Sequence, residues 1–525
     1  MTDADDVKNT ARRDASERLI DPVLAPSGDL KGRSARGGLI ALSAQGIKFL
    51  LGLVWTAILA RLLLPGDFGL IAMVTPIVGF FGTFQDLGLT MATVQRERIT
   101  PDQVSTLFWI NVAISGLLAT MIAACSPAVA WFYDEPRLTD VTLALGLLLF
   151  FSGVSAQHFA LLRRRMLFTR LAIIEPSALF IGMVAGVTAA WWGLGYWALV
   201  IMTGTEALSR LIMAWSASGW TPGRPARGAG VRDMLAFGGH LTGANLIYYI
   251  VHNIDNVLMG KFWGETALGL YNRAYTLSQL TTNHINQPVS NVVIPMLSRL
   301  QNDPEPYRRH YVTALGLTTS LSMPIIAFAV ADAELLITGL LGERWLEAIP
   351  LFQALGPAAF MATTHVSMTW VFVSLGKSNR QFRWSIVAGV TIVTAFVIGL
   401  PYGAMGMAIA YSSATVALRL PGIVYCYHGT RLRLRDFFRA VQVPAVASLG
   451  AAAVLLGLRG WMDHSFNGIV QLLLDATVYG LGYLTIYAAF PQGRKNILLL
   501  RNLADGIVAH LVRHRGQSPA GRTVG

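Results

Sequence analysis

From Gly37 to Phe490, apolar runs of about 17–30 residues alternate with short polar connections. A helix of that length crosses the ~30 Å hydrocarbon core of a bilayer. Fourteen such spans can be read along the chain. Six lie within residues 37–218, six within 234–428 and two within 429–490. The pattern predicts an all-α integral membrane protein of about fourteen transmembrane helices. It is divided into an N-lobe (37–218, spans 1–6), a linker (219–233), a C-lobe (234–428, spans 7–12) and an extra pair (429–490, spans 13 and 14). The linker sequence GWTPGRPARGAG begins at Gly219 and is the longest inter-span connection, rich in the residues that punctuate structure.

The flanks differ from this core. Residues 1–36 are polar and mixed in charge, without the apolar stretch of a signal peptide. They read as a disordered cytoplasmic tail. Residues 491–525 form a basic tail in which Leu500, Leu503, Ile507 and Leu511 recur at helical spacing between Arg and Lys. That pattern predicts an amphipathic helix lying on anionic lipid, against the plainer reading of a solvated basic tail.

Composition agrees with the span pattern. The 525 residues are 54% hydrophobic and only 13% charged, with a formal net charge of +12. A soluble domain carries about a quarter charged residues, so a soluble basic protein is excluded. Nucleic acid is not an expected partner. With the N-terminus inside, 32 of the 41 basic residues fall in cytoplasmic segments. Such a bias sets orientation and places both termini in the cytoplasm. Cys125 and Cys426 are the only cysteines and fall near opposite faces, so no disulfide framework is expected.

A short internal repeat supports two halves. ILARLLLPGDFGL between spans 1 and 2 aligns with LMGKFWGETALGL between spans 7 and 8. Arg61, Gly69 and Leu70 match Lys261, Gly269 and Leu270. Six spans per half give the two copies the same orientation, as in parallel repeats.

Catalytic chemistry finds no motif. A phosphate-binding G-x-x-x-x-G-K-[ST] loop and an H-E-x-x-H pair are both missing from the sequence, and the ten histidines are scattered. No inter-span loop is long enough to house an aqueous active site. The chain therefore reads as a non-enzyme without cofactor or metal.

What remains is polarity at bilayer depth, which costs ~2.5–3.5 kcal/mol per ionisable group on insertion scales. The basic set is Lys48, Arg210, Arg273 and Arg419; the acidic set is Asp86, Glu175, Glu206, Asp255 and Asp475. Glu206 and Arg210 stand i, i+4 and can neutralise each other. Glu175, beside Pro176, can snorkel to the interface. Asp475 lies on span 14, where packing or assembly competes with transport as its role. Span 8 (267–297) is the most polar. Arg273, Gln279, Asn283, Gln287 and Asn291 keep largely to one face, and Thr282, His284, Asn286 and Ser290 widen the band. Polar groups in hydrocarbon must be satisfied, so this face is expected to line a water-filled cavity. Asp255 and Arg273, across the span 7–8 hairpin, read equally as a switchable cavity pair or a permanent salt bridge.

These residues carry a family resemblance. LARLLLPGDFGLIAM, FQDLGL, NIDNVLMGKFWGETALGLYNRAYTLSQL and NHINQPVSNVVIPMLSRLQNDPEPYRRHY resemble the polysaccharide-transport branch of the MOP superfamily. These are lipid-linked oligosaccharide flippases of the colanic-acid and O-antigen type, and the resemblance covers Gly37–Phe490. It implies two six-helix lobes in a V and an amphiphilic cavity that opens alternately to each face. It also implies a bacterial inner-membrane location and an undecaprenyl-pyrophosphate-linked repeat unit as substrate. A polysaccharide polymerase and chain-length proteins are the implied partners, alongside membrane lipids. An anionic pyrophosphate gives cavity cations a plain role, in the order Arg273, Lys48, Arg210, Arg419. Asp86 and Asp255 are the candidates for coupling to H⁺ or Na⁺. A cation-coupled multidrug exporter of the same superfamily is the alternative, weakened because span 1 carries Lys48 and no acid. A polymerase or ligase is a third reading, weakened because the longest outer loop, about Ala331–Pro350, is short and partly apolar.

Overall fold

The computed structural model describes residues 30–85, 89–96, 99–226, 249–280, 282–459, 468–499 and 501–502. It is helical, with no strand among the described residues. Ten segments there are long and apolar enough to cross a membrane, and one of them, Ser378–Tyr427, holds two helices. The chain is a multi-pass, all-α membrane protein.

The helices are α1 Leu30–Leu62, α2 Pro65–Gly82, α3 Leu89–Gln95, α4 Pro101–Tyr133, α5 Leu138–Arg164, α6 Phe168–Trp191, α7 Trp197–Ser218 and α8 Ile254–Ser278. They continue as α9 Gln287–Arg299, α10 Pro304–Ala331, α11 Ala333–Leu340, α12 Ala348–Ser374, α13 Ser378–Gly399, α14 Gly403–Tyr427, α15 Leu434–Arg459 and α16 Gly468–Ala489. Residues 491–499 are also helical. The remaining tail positions expected on the lipid-facing stripe, from Leu500 and Leu503 onward, lie outside the described residues, as do the N-terminal tail to residue 29 and most of span 7.

Local chemistry explains the boundaries. Pro65 opens α2, where its missing N–H costs nothing, and Asp67 reaches back to the Leu64 amide at 2.9 Å. Thr100 and Gln103 cap α4 reciprocally, at 3.2 and 3.1 Å. Asp134 ends α4 in the left-handed region, at φ 58°. Inside α8, Gly264 has φ 79°, a conformation that L side chains rarely adopt, and here the chain reverses. Span 8 is not one helix. α8 stops at Ser278, a π-helical turn covers Thr282–Asn286, and α9 starts at Gln287. Pro288, which lacks a backbone N–H, follows directly.

The chain divides into two compact units. Unit 1 runs to Asn272 and takes back Leu340–Trp345. Within it, α4 packs along α5, α6 along α7, α5 against α7 and α1 against α6. Small residues let the backbones approach. A Cβ on Gly153 would stand 1.9 Å from Ser115 Oγ, and one on Gly182 would stand 2.8 Å from the Met202 carbonyl oxygen. Such contacts are how helices associate where lipid removes the usual hydrophobic gain. Trp345 returns to this unit, donates from Nε1 to the Ala60 carbonyl at 2.9 Å and meets the Phe68 ring edge-on.

Unit 2 comprises Arg273–Gly339 and the chain from Leu346 onward. α10 packs along α15, α12 along α14, α13 along α14 and α15 along α16. Its core includes Tyr311, Trp370, Phe372 and Tyr427, with the Tyr311 and Tyr427 hydroxyls 2.8 Å apart. The pair expected as spans 13 and 14 is α15 and α16, and it joins this core through Val443, Ala447, Tyr479 and Tyr483. Cys125 and Cys426 are both free thiols.

Candidate functional site

Four intramembrane charges of unit 1 converge. Lys48 Nζ on α1 lies 2.8 Å from Glu175 Oε2 on α6. Glu175 therefore holds Lys48. Glu206 on α7 lies within electrostatic reach of Arg210, Lys48 and Glu175. Arg210 interacts electrostatically with Glu206, as its spacing suggests, and also takes a second partner. Its guanidinium sits 5.3 Å above the Phe159 ring, a cation–π contact, and forms no ion pair with Glu206. The two cations and two carboxylates are formally balanced.

The 254–272 hairpin is the second element of unit 1. Reversal at Gly264 lays the start of α8 against its later turns. Asn272 Nδ2 donates to Asn256 Oδ1 at 3.2 Å, and the Tyr271 hydroxyl donates to Asp255 Oδ2 at 3.3 Å. The residues of the NxDN and YNR stretches thus bond one another. Asp255 is buried, and its second oxygen, Oδ1, has no hydrogen-bond partner. Its bonded side-chain partner is Tyr271. Asp86 lies outside the described residues.

In unit 2 the polar band of span 8 divides into two kinds of residue. Asn286 and Ser290 are buried and serve packing. Ser322 donates to Asn286 Oδ1 at 3.0 Å, Ser290 to the Asn286 carbonyl at 2.7 Å, and Trp370 Nε1 to Ser290 Oγ at 2.9 Å. Gln287 and Asn291 are exposed one turn apart, while Arg273 and Gln279 are half-buried. The Asn283 side chain lies outside what is described. A π-turn in the middle of a polar band is a frequent mark of functional helices.

Arg419 on α14 is the most enclosed of the four cations, only 6% exposed. Its Nη1 lies 2.9 Å from His365 Nδ1 on α12. Arginine can only donate, so His365 Nδ1 accepts and the imidazole is neutral. Arg419 Nε has no hydrogen-bond partner, and no carboxylate forms an ion pair with it among the described residues. Sequence spacing did not point to His365, because the two lie 54 positions apart on different helices.

Asp475 on α16 has a structural setting. Gln471 Nε2 donates to it at 2.9 Å, and Arg459 reaches it at 3.4 Å while also contacting Asp332 at the end of α10.

Comparison with known proteins places this architecture. A family described as polysaccharide biosynthesis protein matches residues 58–350, more than half of the chain. The chain belongs to that family. It is 24% identical over 423 residues to the teichuronic acid biosynthesis protein TuaB of Bacillus subtilis (strain 168), covering 79% of this chain and 86% of the relative. It is 24% identical over 485 residues to the succinoglycan biosynthesis transport protein ExoT of Rhizobium meliloti (strain 1021), covering 92% and 97%. The fold is similar to that of the lipid II flippase MurJ in its inward closed conformation. The TM-score is 0.69 at 15% identity, covering 86% of this chain and 99% of the solved one. The polysaccharide-transport resemblance, the all-helical transporter fold and the role in polysaccharide biosynthesis all stand on these findings.

Proposed function

We propose that the protein flips an undecaprenyl-pyrophosphate-linked oligosaccharide repeat unit across the bacterial inner membrane, supplying exopolysaccharide or O-antigen synthesis. The N-lobe (37–218) and the C-lobe (234–428) rock in alternating access, so that the headgroup crosses through a polar path while the lipid tails stay in the bilayer. Both termini face the cytoplasm, in keeping with the basic bias of the connecting segments. A polymerase and chain-length proteins act on the product at the outer face.

The observation that carries this reading is Arg419. A buried guanidinium without a carboxylate is costly in a membrane helix. A diphosphate that visits the site supplies the missing negative charge, and arginine binds such oxygens through paired N–H donors. Arg273, with Gln279, Gln287 and Asn291, supplies further polar contacts from unit 2. Lys48 and Arg210 already sit in a balanced group and serve transport by exchanging partners. Asp255, with one bare oxygen, is the site for the coupling H⁺ or Na⁺.

Deletion of the gene should leave lipid-linked oligosaccharide on the cytoplasmic face and stop polymer export. Complementation with Arg419→Gln should restore protein abundance without export, and Arg419→Lys should restore part of it. Normal polymer export in the deletion strain overturns the proposal.

A further inference from the structure

Unit 2 contains a cavity of about 370 Å³ that none of Lys48, Arg210, Arg273 and Arg419 lines. It lies where the helices start. Gln301 and Asn302 precede α10, Lys377 precedes α13, and Thr430 and Arg431 belong to the turn between α14 and α15. With Tyr307 they form most of its wall, and no carboxylate lines it. By the basic-residue bias, this end of unit 2 faces the cytoplasm.

The charges here are unbalanced. Lys377 Nζ donates to the Gly429 carbonyl at 2.9 Å, which pins the turn and leaves two ammonium hydrogens. Arg431 is exposed and makes no hydrogen bond or ion pair among the described residues. Arg380 stands behind them, donating to the His428 and Tyr425 carbonyls and covering the Tyr425 ring at 4.7 Å. Burial, and then the neighbouring Arg380 charge, push the Lys377 ammonium below its ordinary value. The acid on the adjoining helix, Asp436, is occupied. Arg308 holds both its oxygens at 2.9 and 2.7 Å, and the Arg433 amide adds a third bond at 2.9 Å. Asp303, in the turn before α10, does not line the cavity.

Two cations facing a cavity without an acid select an anion, and their separate anchoring on two turns suits several oxygens on one centre. The volume exceeds that of a bare phosphate and falls in the range of small-ligand sites. The amides of Gln301 and Asn302 and the Thr430 hydroxyl can bond hydroxyl groups on a substituent.

We propose that this cavity binds a phosphate ester carrying a small hydroxylated substituent. Either the headgroup of an anionic glycerophospholipid or a free phosphorylated metabolite presents that chemistry. The site goes beyond the flippase reading and does not depend on it.

The test uses the full chain in phosphatidylcholine nanodiscs. One arm titrates sn-glycerol 3-phosphate and follows binding by calorimetry. The other replaces a fifth of the lipid with phosphatidylglycerol and follows the unfolding temperature. Wild type is compared with Arg431→Gln and with Lys377→Gln/Arg431→Gln. At least one probe should act on wild type, with the response weakened several-fold in the single variant and at least tenfold in the double. Glycerol phosphate acting alone identifies a soluble ligand; phosphatidylglycerol acting alone identifies a lipid headgroup. Arg431→Gln loses no internal bond, so its unfolding temperature without probe should match wild type. Failure of both probes on wild type, or an equal response in the double variant, overturns the proposal. Neither outcome bears on polymer export.

Discussion

Gly69 and Gly269, matched by the internal repeat, are also neighbours in space. A Cβ built on Gly69 would stand 1.8 Å from the Glu265 carbonyl oxygen. One on Gly269 would stand 1.9 Å from the Pro65 carbonyl oxygen and 3.2 Å from the Gly69 nitrogen. Each glycine thus clears the way for backbone from the other copy. Leu70 and Leu270 are buried beside them, and Arg137 clamps Glu265 at 2.7 Å. Either Gly→Ala substitution must push two backbones apart. Overpacking of this kind costs about 1–3 kcal/mol or more, against a gain of at most about 1 kcal/mol from helix propensity. Gly69→Ala and Gly269→Ala should each lower the unfolding temperature and the inserted amount. Gly46→Ala, where a Cβ meets nothing within 4 Å, should leave both unchanged or raised. Equal behaviour of all three variants would count against the packing described.

Much of this was legible because it is local. Span limits follow from hydropathy, the Gly264 reversal from the turn between spans 7 and 8, and the glycine pair from a constant offset. The partners of the intramembrane charges were not legible, for a physical reason. Helical spacing reveals only neighbours on one helix, so Arg210 pointed to Glu206. The ring it covers belongs to Phe159, on α5. Lys48 and Glu175 are 127 positions apart. Span 8 reads as one continuous polar stripe, yet its π-turn and the restart at Gln287 direct Asn286 and Ser290 into packing and leave Gln287 and Asn291 exposed.

The Lys48–Glu175 pair should behave as a unit. Both side chains are about a third exposed, 33% and 31%, so the direct attraction is modest, about 1 kcal/mol. Removing one partner leaves the other charge at bilayer depth, which costs more, about 2.5–3.5 kcal/mol. Lys48→Gln and Glu175→Gln should each reduce folded protein, and the double variant should be at least as abundant as either single one. Additive losses in a double-mutant cycle on unfolding temperature would show that the pair is not coupled.

Arg459 serves two buried carboxylates, Asp332 and Asp475, leaving the trio one charge short of balance. The consequence is asymmetric. Arg459→Gln strands two acids and should destabilise strongly, by about 3–5 kcal/mol. Asp475→Asn balances the charge and preserves a hydrogen-bonding side chain, so it should be tolerated. Tying α15 and α16 to the end of α10 is then the role of Asp475, and Asp475→Asn should export polymer normally. Loss of export at normal abundance would instead make Asp475 part of transport.

Asp255 separates coupling from architecture. Its carboxyl is 3% exposed, accepts from the Tyr271 hydroxyl at Oδ2, faces the backbone amides of Asn256 and of Asp255 itself, and has no hydrogen-bond partner at Oδ1. A structural carboxylate in this setting would be expected to use both oxygens, whereas a site that takes up and releases a cation needs a vacant one. Asp255→Asn preserves shape and can still accept the tyrosine hydrogen bond, so the protein should insert at normal abundance. Reconstituted in liposomes, it should lose any dependence of substrate flipping on an imposed H⁺ or Na⁺ gradient, and the gradient-driven rate should fall at least tenfold. Tyr271→Phe removes the side-chain bond and should shift the ion dependence without abolishing it. If Asp255→Asn flips substrate at the wild-type rate and with the same gradient dependence, the coupling role is wrong and the hairpin bond is architectural.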